Sequence, residues 1–233
     1  MRLLNFFKKS QNNSQETPQS QTAPSILKSD HITPLTKGIH QYFGPIDRMF
    51  HSSSDNPIYI QVVEIPAHDQ VDFVQLITVG SCAYKMPIPD PAFQEQYQYA
   101  EFMMWLPKGW DVASADQDKN WPLNILIHVA SQAYRHQGYM SPGAIVQMDP
   151  SGKPLPGSQT PFSHCLIVPG HTSHGGAAII TMANEDIINF YHVIPLTPTE
   201  HQYYENHGYQ ALLQKFAEAN LNLVINPYRD SLI

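Results

Sequence analysis

The segment HCLIVPGHTSHGG, residues 164–176, gathers residue types that perform chemistry in many proteins. His164, Cys165, His171 and His174 all lie within it. Imidazole and thiolate groups bind zinc, and a thiol activated by an imidazole is a nucleophile. The segment is therefore compatible with a metal site, with a cysteine-dependent active site, or with a polar connector between two strands.

The spacing of these residues favours the connector. Structural zinc takes four protein ligands and catalytic zinc takes three. On a loop His171 and His174 could meet one ion, but on a strand His164 and Cys165 point to opposite faces. The sequence has no second pair at zinc-finger spacing and no HExxH motif. We predict no metal site, and keep as the alternative a metal- or Cys-dependent enzyme that uses the segment from His164 to His174, with His164, His171 and His174 as metal ligands or Cys165 as the nucleophile.

Other catalytic patterns are missing from the sequence. The stretch around Gly80 and Ser81 lacks the GxSxG elbow of serine hydrolases. Neither GxGxxG nor GxxxxGK occurs, so no phosphate-binding loop is predicted. His192 is expected to be a core histidine of a strand, and His128 a solvated residue on the polar stripe of a helix. We therefore predict no catalytic residue, no cofactor and no enzymatic activity.

The charge balance bears on the class of partner. The chain has 20 acidic and 13 basic residues, which gives a formal net charge of -7. Binding to a nucleic-acid backbone needs clustered Lys and Arg, so this class of partner is not expected. A basic protein partner is compatible with the acidic chain, because opposite fields accelerate encounter.

Cysteine usage and hydropathy predict a cytoplasmic protein. Cys82 and Cys165 lie far apart and form no CxxC pair, so a disulfide framework is not expected. No apolar run approaches the roughly 18 residues of a membrane helix. In the first ten residues, MRLLNFFKKS, the lysines follow the apolar patch, whereas a signal peptide has its charge first.

The hydrophobic pattern predicts one domain, residues 31–233, after a disordered leader, residues 1–30, that is rich in Ser, Gln and Asn. Helices are predicted over residues 33–43 with Thr33 as the N-cap, around Met49 and Phe50, over residues 121–135, and from Thr197 to about Asn220 with a break at Gly208. Strands are predicted over residues 58–65, 71–79, 99–106, 144–148, 164–168, 177–182 and 188–196. This order predicts an α+β fold, with a mixed, largely antiparallel sheet packed against helices.

An ordered set of loose motifs adds to this reading. It comprises Phe43-Gly44, a strand ending at Pro66, TVGSCAYKMPIP with Thr78, Gly80 and Met86, the strand from Glu101 to Trp110, the helix at Trp121-Pro122-Leu123, and the helix start at PLTPTE. Together these motifs, over roughly residues 36–220, resemble the suppressor of fused family in its bacterial single-domain form. The chain departs from that pattern at Gly80, which Ser81 follows directly where the family often has Met before Ser. The segment HCLIVPGHTSHGG has no counterpart in it.

The resemblance implies a suppressor of fused-like fold and a non-enzymatic, protein-binding function. Animal relatives sequester a transcription factor, and bacterial members look like immunity proteins that bind and block a polymorphic toxin domain. The expected partner is accordingly a protein, for example a basic toxin domain. Loop length suggests binding residues on the loops near 82–95 and 107–120, which we expect at one end of the sheet. The candidates there are Asp90, Asp111 and Asp116.

Overall fold

The computed structural model describes residues 29–69, 71–155 and 158–233. The helices are α1 (Ser29–Phe43), α2 (Pro91–Tyr97), α3 (Gln117–Arg135), α4 (Pro198–His207) and α5 (Tyr209–Glu218), with a 3-10 turn at Ser81–Ala83. The strands are β1 (Arg48–His51), β2 (Gln61–Ile65), β3 (Phe73–Val79), β4 (Tyr99–Pro107), β5 (Ile145–Gln147), β6 (His164–Pro169), β7 (Ile179–Thr181) and β8 (Ile187–Leu196). The predicted leader lies outside the described residues, apart from Ser29 and Asp30, which begin α1.

Eight strands form a single sheet in the described part of the chain. Their order is β1-β2-β3-β4-β8-β6-β5, and β7 pairs with β8 off this path. The β4–β8 pair is parallel, and the other pairs are antiparallel. The prediction of an α+β fold with a mixed, largely antiparallel sheet is therefore confirmed.

The central strands are buried on both faces, which explains their nearly continuous apolar sequences. In β4, Phe102 and Met104 face α3, whereas Met103 faces α1. Helix α3 covers one face of the sheet through residues such as Leu126 and Val129. The opposite face is covered by α1 over β3 and β4, and by the α4–α5 pair over β6 and β8.

Two predicted helix starts were one turn late. Helix α1 begins at Ser29 rather than after an N-cap at Thr33, and α3 begins at Gln117 after the N-cap Asp116 rather than at Trp121. In each case a proline, Pro34 or Pro122, suggested the start, because proline is favoured in the first helical turn. Both prolines instead lie inside their helices.

The short helix predicted around Met49 and Phe50 was wrong. These residues belong to β1, which pairs with β2 over four residues at the edge of the sheet. A strand of this length is too short to show a clear period-2 pattern. The break at Gly208 is confirmed, and this glycine has a φ of 82° between α4 and α5.

Candidate functional site

The structure separates the four residues of the His/Cys segment. His164 begins β6, and His171 follows the end of this strand, so a strand rise of about 3.3 Å per residue puts them roughly 20 Å apart. His164 packs against His201 of α4, whereas Cys165 belongs to the core beneath α3. His174 is an exposed residue of the connector between β6 and β7.

The thiols are also unsuited to nucleophilic catalysis. Cys165 is fully buried, and burial raises the pKa of its thiol far above the usual range. Burial and the neighbouring Glu101 likewise raise the pKa of Cys82 well above its ordinary value. In residues 29–69, 71–155 and 158–233 no group of three or more His, Cys, Asp or Glu side chains could hold a metal ion. The geometry therefore gives no support to the metal- or Cys-dependent alternative.

A buried carboxylate organises the turn after β3. Glu101 of β4 is fully buried and accepts a hydrogen bond from the hydroxyl of Thr78 at 2.5 Å. It also accepts bonds from the backbone N–H groups of Gly80 (2.8 Å), Cys82 (3.1 Å) and Ser81 (3.3 Å). Burial raises the pKa of Glu101, and the hydrogen bonds offset part of this shift. The carboxylate is therefore surrounded by hydrogen-bond donors of the protein and not by solvent.

The three candidate aspartates have local structural roles. Asp90 and Asp116 are the N-caps of α2 and α3, and each side chain accepts a bond from the backbone N–H two residues later. Asp111 accepts a bond from the N–H of Ala113 and lies 3.6 Å from Arg48. All three are exposed and remain available to a partner.

These aspartates do not lie at one end of the sheet, as the loop positions had suggested. Strands β3 and β4 are antiparallel, and Phe73 pairs with Pro107. Asp90 therefore lies at the end where β4 begins, whereas Asp111 and Asp116 follow the end where β4 finishes. The nine residues of β4 separate these ends by roughly 30 Å.

A cleft of about 580 Å³ runs along the free edge of β5. Helix α3 contributes one wall with His128 and Gln132, while His164 of β6 and His201 of α4 contribute the other. The imidazoles of His164 and His201 stack with centroids 3.6 Å apart and planes 8° from parallel. Burial and the neighbouring His201 lower the pKa of His164 to about 4, so its ring is neutral at physiological pH.

The edge of β5 offers backbone groups to this cleft. The N–H of Met148 bonds to Ser163, and the carbonyl of Ala144 accepts from Ile167, so these residues point towards β6. Because hydrogen bonding alternates in an antiparallel pair, Ile145 and Gln147 direct their backbone groups outward. His128, predicted to be solvated, is partly buried, and its Nε2 lies 3.1 Å from the Gln147 carbonyl. Sequence reasoning missed this cleft, because its walls come together only in the fold.

Comparison with models of protein families shows to which family this chain belongs. The model of the Suppressor of fused protein (SUFU) family matches residues 56–230, about three quarters of the sequence. The chain belongs to the suppressor of fused family. The match includes the turn held by Glu101 and the edge strand β5, and the predicted family is confirmed. A search of curated proteins finds no match.

Solved structures of suppressor of fused proteins have a similar fold. A homolog from Neisseria gonorrhoeae has a TM-score of 0.60 at 20% identity, covering 88% of this chain and 97% of its own. A chain of the Sufu–Fu complex has a TM-score of 0.57 at 14% identity, covering 91% and 93%. Drosophila Suppressor of Fused has a TM-score of 0.53 at 12% identity, covering 86% of this chain and 50% of its own. The Sufu–Fu complex is an assembly of two proteins, so this relative binds a protein partner.

Proposed function

We propose that this chain is a non-catalytic, immunity-type member of the suppressor of fused family, which binds and blocks a basic toxin domain of a polymorphic toxin system in the cytoplasm. The observation that carries the binding function is the free edge of β5 between α3 and α4. Membership of a family with a protein-binding relative supports the same function. Among the described residues no helix is long and apolar enough to cross a bilayer.

The edge of β5 suits an extended segment of a partner. Outward-facing N–H and C=O groups of an edge strand are a template for an added strand. At β5 these groups are the N–H and C=O of Ile145 and the N–H of Gln147, whereas the carbonyl of Gln147 already lies 3.1 Å from Nε2 of His128. The cleft leaves room beside them. The walls from α3 and α4 would contact alternate side chains of the bound segment. We propose that main-chain pairing supplies affinity here and that the cleft walls select the partner.

Charge would act mainly on the rate of encounter. The net charge of -7 attracts a basic domain over a distance set by the ionic strength. Within the described residues, the side chains that line the cleft include no Asp, Glu, Lys or Arg. The exposed Asp90, Asp111 and Asp116 lie outside the cleft, so we assign them to steering of the partner.

The edge-strand contact can be tested by removing one backbone donor. Gln147→Pro removes the outward N–H, while the residues that pair with β6 keep theirs. Gln147→Ala is the matched control, because it shortens the same side chain and keeps the N–H. We expect the proline variant to lose partner binding in isothermal titration calorimetry and the alanine variant to retain it. Thermal unfolding of both variants would establish that each is folded.

The partner itself can be found by affinity purification of the tagged chain from its native cells, followed by mass spectrometry. The expected result is a basic domain within a large toxin-like protein. Co-expression should then restore the growth of cells that produce this domain, and Gln147→Pro should abolish the rescue. Recovery of a partner whose activity is not blocked would refute the immunity function and leave the binding function standing.

A further inference from the structure

An apolar groove of about 560 Å³ lies on the side of the sheet covered by α5. Val168 and Ile194 of the sheet form its floor, and Leu213 and Phe216 of α5 form one wall. Leu221 and Leu223, which follow α5, line it as well. The volume falls within the range of about 300–1,000 Å³ typical of pockets that bury a ligand. The groove is separate from the cleft at β5, because no residue lines both.

We propose that residues 2–9 of the same chain, RLLNFFKK, bind in this groove. The segment carries four large apolar side chains, Leu3, Leu4, Phe6 and Phe7, beside three basic ones, Arg2, Lys8 and Lys9. Its apolar residues match the chemistry of the groove, where burial of a Leu or Phe side chain contributes about 1.5–3 kcal/mol. The basic residues match the charge of the domain.

The charge of the chain is divided unequally between residues 1–28, which include the segment, and residues 29–233, which include the groove. Residues 1–28 contain four basic residues and one acidic residue, which gives +3. Residues 29–233 contain the other nine basic and 19 acidic residues, which gives -10. The segment and the domain therefore attract each other, whereas a second domain of the same kind would be repelled. This complementarity favours the chain's own segment as the occupant.

The connection is long enough for this contact. Residues 10–28 separate the segment from the start of α1. At about 3.3–3.6 Å per residue they can reach roughly 60 Å. A domain of this size has a radius of gyration of about 17 Å, so the groove lies within reach from any point on its surface. Linkage within one chain also gives the segment a high effective concentration at the groove.

The test uses a spin label on the full-length protein. Ser10→Cys places a nitroxide directly after the segment, and the native Cys82 and Cys165 are buried and protected from labelling. We expect loss of the amide signals of Gln210, Ala217 and Asn220 in an NMR spectrum of the labelled protein. Signals of Met49 and Tyr59, at the opposite edge of the sheet, should remain.

Three variants test the specificity of the contact. Ala217→Arg places a charged side chain at the groove and should restore the lost signals. Gln214→Arg adds the same charge to α5 without lining the groove, and should leave the signals lost. Replacement of Leu3, Leu4, Phe6 and Phe7 by serine should also restore them.

Four results would overturn the proposal. The first is signal loss spread evenly over the surface, and the second is loss that persists in Ala217→Arg. The third is loss seen only between separately labelled molecules, which would mean that the segment binds a second copy. Binding of the full-length protein to anionic phosphatidylglycerol vesicles without any loss at the groove would assign the segment to a lipid surface instead.

Discussion

Glu101 illustrates how one side chain can determine the path of a turn. Its two oxygens accept four hydrogen bonds from Thr78 and from the backbone of residues 80–82. The backbone donors of this turn lack strand or helix partners, so the carboxylate satisfies groups that would otherwise be buried without a bond. The Glu101 side chain thus stabilises the turn at residues 80–82 by accepting its backbone hydrogen bonds.

Glu101→Gln should destabilise the protein by about 2–3 kcal/mol, because an amide N–H₂ would replace one acceptor among four donors. Urea denaturation at pH 7 measures this change in the free energy of unfolding. The matched control is Glu95→Gln on the exposed face of α2, which should change it by less than about 0.5 kcal/mol. Equal stability of the two variants would show that the turn does not depend on the carboxylate.

We expect His192 to make the stability of the fold sensitive to acid. Its ring is buried on β8 and packs edge-on against Trp105, with centroids 4.5 Å apart. Burial and the neighbouring His171 lower the pKa of His192 to about 3, from its ordinary value of 6.5. The folded state therefore binds this proton more weakly than the unfolded state does. As a result, the free energy of unfolding is unaffected by protonation of His192 above pH 6.5 and decreases as the pH falls from 6.5 towards 3.

His192→Phe should reduce the loss of stability between pH 7 and pH 5 by about 2 kcal/mol, at 1.36 kcal/mol per pH unit below 6.5. The measurement is the free energy of unfolding at both pH values. His174→Phe, at an exposed position of the connector, should keep the pH dependence of the original protein. If His192→Phe keeps it too, protonation of this residue does not drive the acid sensitivity.

Residue chemistry was only partly predictable from the sequence. The spacing of Thr197 and Glu200 is typical of a capping box, a pair that local rules can recognise because both partners lie within one helical turn. The donors to Glu101 lie about 20 residues earlier in the chain, so no spacing rule assigns them. The pairing of His164 with His201 likewise depends on how α4 packs against β6.

At the scale of elements, Gly80 sets the close approach of the turn to the segment before β2. Its φ is 128°, and an added Cβ would lie 2.4 Å from the carbonyl oxygen of Tyr59. Residues other than glycine rarely adopt this backbone conformation. The carbonyl oxygen of Tyr59 belongs to the backbone, so it cannot rotate away from an added Cβ. Both strain and collision therefore select glycine here.

Gly80→Ala should be more destabilising than Gly109→Ala, by about 1–3 kcal/mol. Gly109 is a suitable control because its φ is also positive, at 77°, and nothing lies within 4 Å of an added Cβ. Thermal unfolding of the two variants gives the comparison. Similar melting temperatures would indicate that the turn can move away from Tyr59.

The C-terminal segment is held to α4 by a buried ion pair. The carboxylate of Glu200 is fully buried and pairs with both terminal nitrogens of Arg229. It also accepts a bond from the N–H of Leu232 at 3.1 Å. Arg229 in turn donates to the carbonyl of Pro195 at 2.9 Å. This residue therefore joins the chain end to both β8 and α4.

Arg229→Met should destabilise the protein by about 3–5 kcal/mol, since it leaves the Glu200 carboxylate buried without its partner. Limited proteolysis should also cut the segment after α5 faster. Arg135→Met, at an exposed position, is the control and should cost less than about 1 kcal/mol. A small effect of Arg229→Met would show that water can replace the guanidinium.

Helices and strands were predicted correctly from the sequence where their hydrophobic pattern extends over many residues. Strands β3, β4 and β8 have continuous apolar runs, and their existence was predicted correctly. Strand β1 has four residues and was taken for a helix. Helix α2 was predicted as a loop, although Asp90 and Pro91 form a typical N-cap and first-turn pair. Short elements were thus the main source of error.

At the scale of the whole molecule, the acidic charge should control how fast a basic partner arrives. Between about 0.03 and 0.3 M salt we expect the association rate constant to fall by about tenfold or more, because screening shortens the range of attraction. Stopped-flow mixing measures this rate. The triple variant Asp90→Asn, Asp111→Asn, Asp116→Asn should weaken the salt dependence, since Asn preserves the helix caps while removing charge. If the association rate constant of the triple variant depends on salt as strongly as that of the original protein, the steering charges lie elsewhere.

The parallel pairing of β4 with β8 has a consequence for synthesis on the ribosome. The partner of Tyr99 is Ile188, about 90 residues later in the chain. At about 5–20 residues per second, β4 therefore waits roughly 5–20 s for the strand that covers it. During this interval the nascent meander of β1 to β4 presents an apolar, unpaired edge, which is a site of aggregation. The translation speed of the segment between these strands should thus affect the yield of soluble protein, even though the finished sheet buries that edge completely.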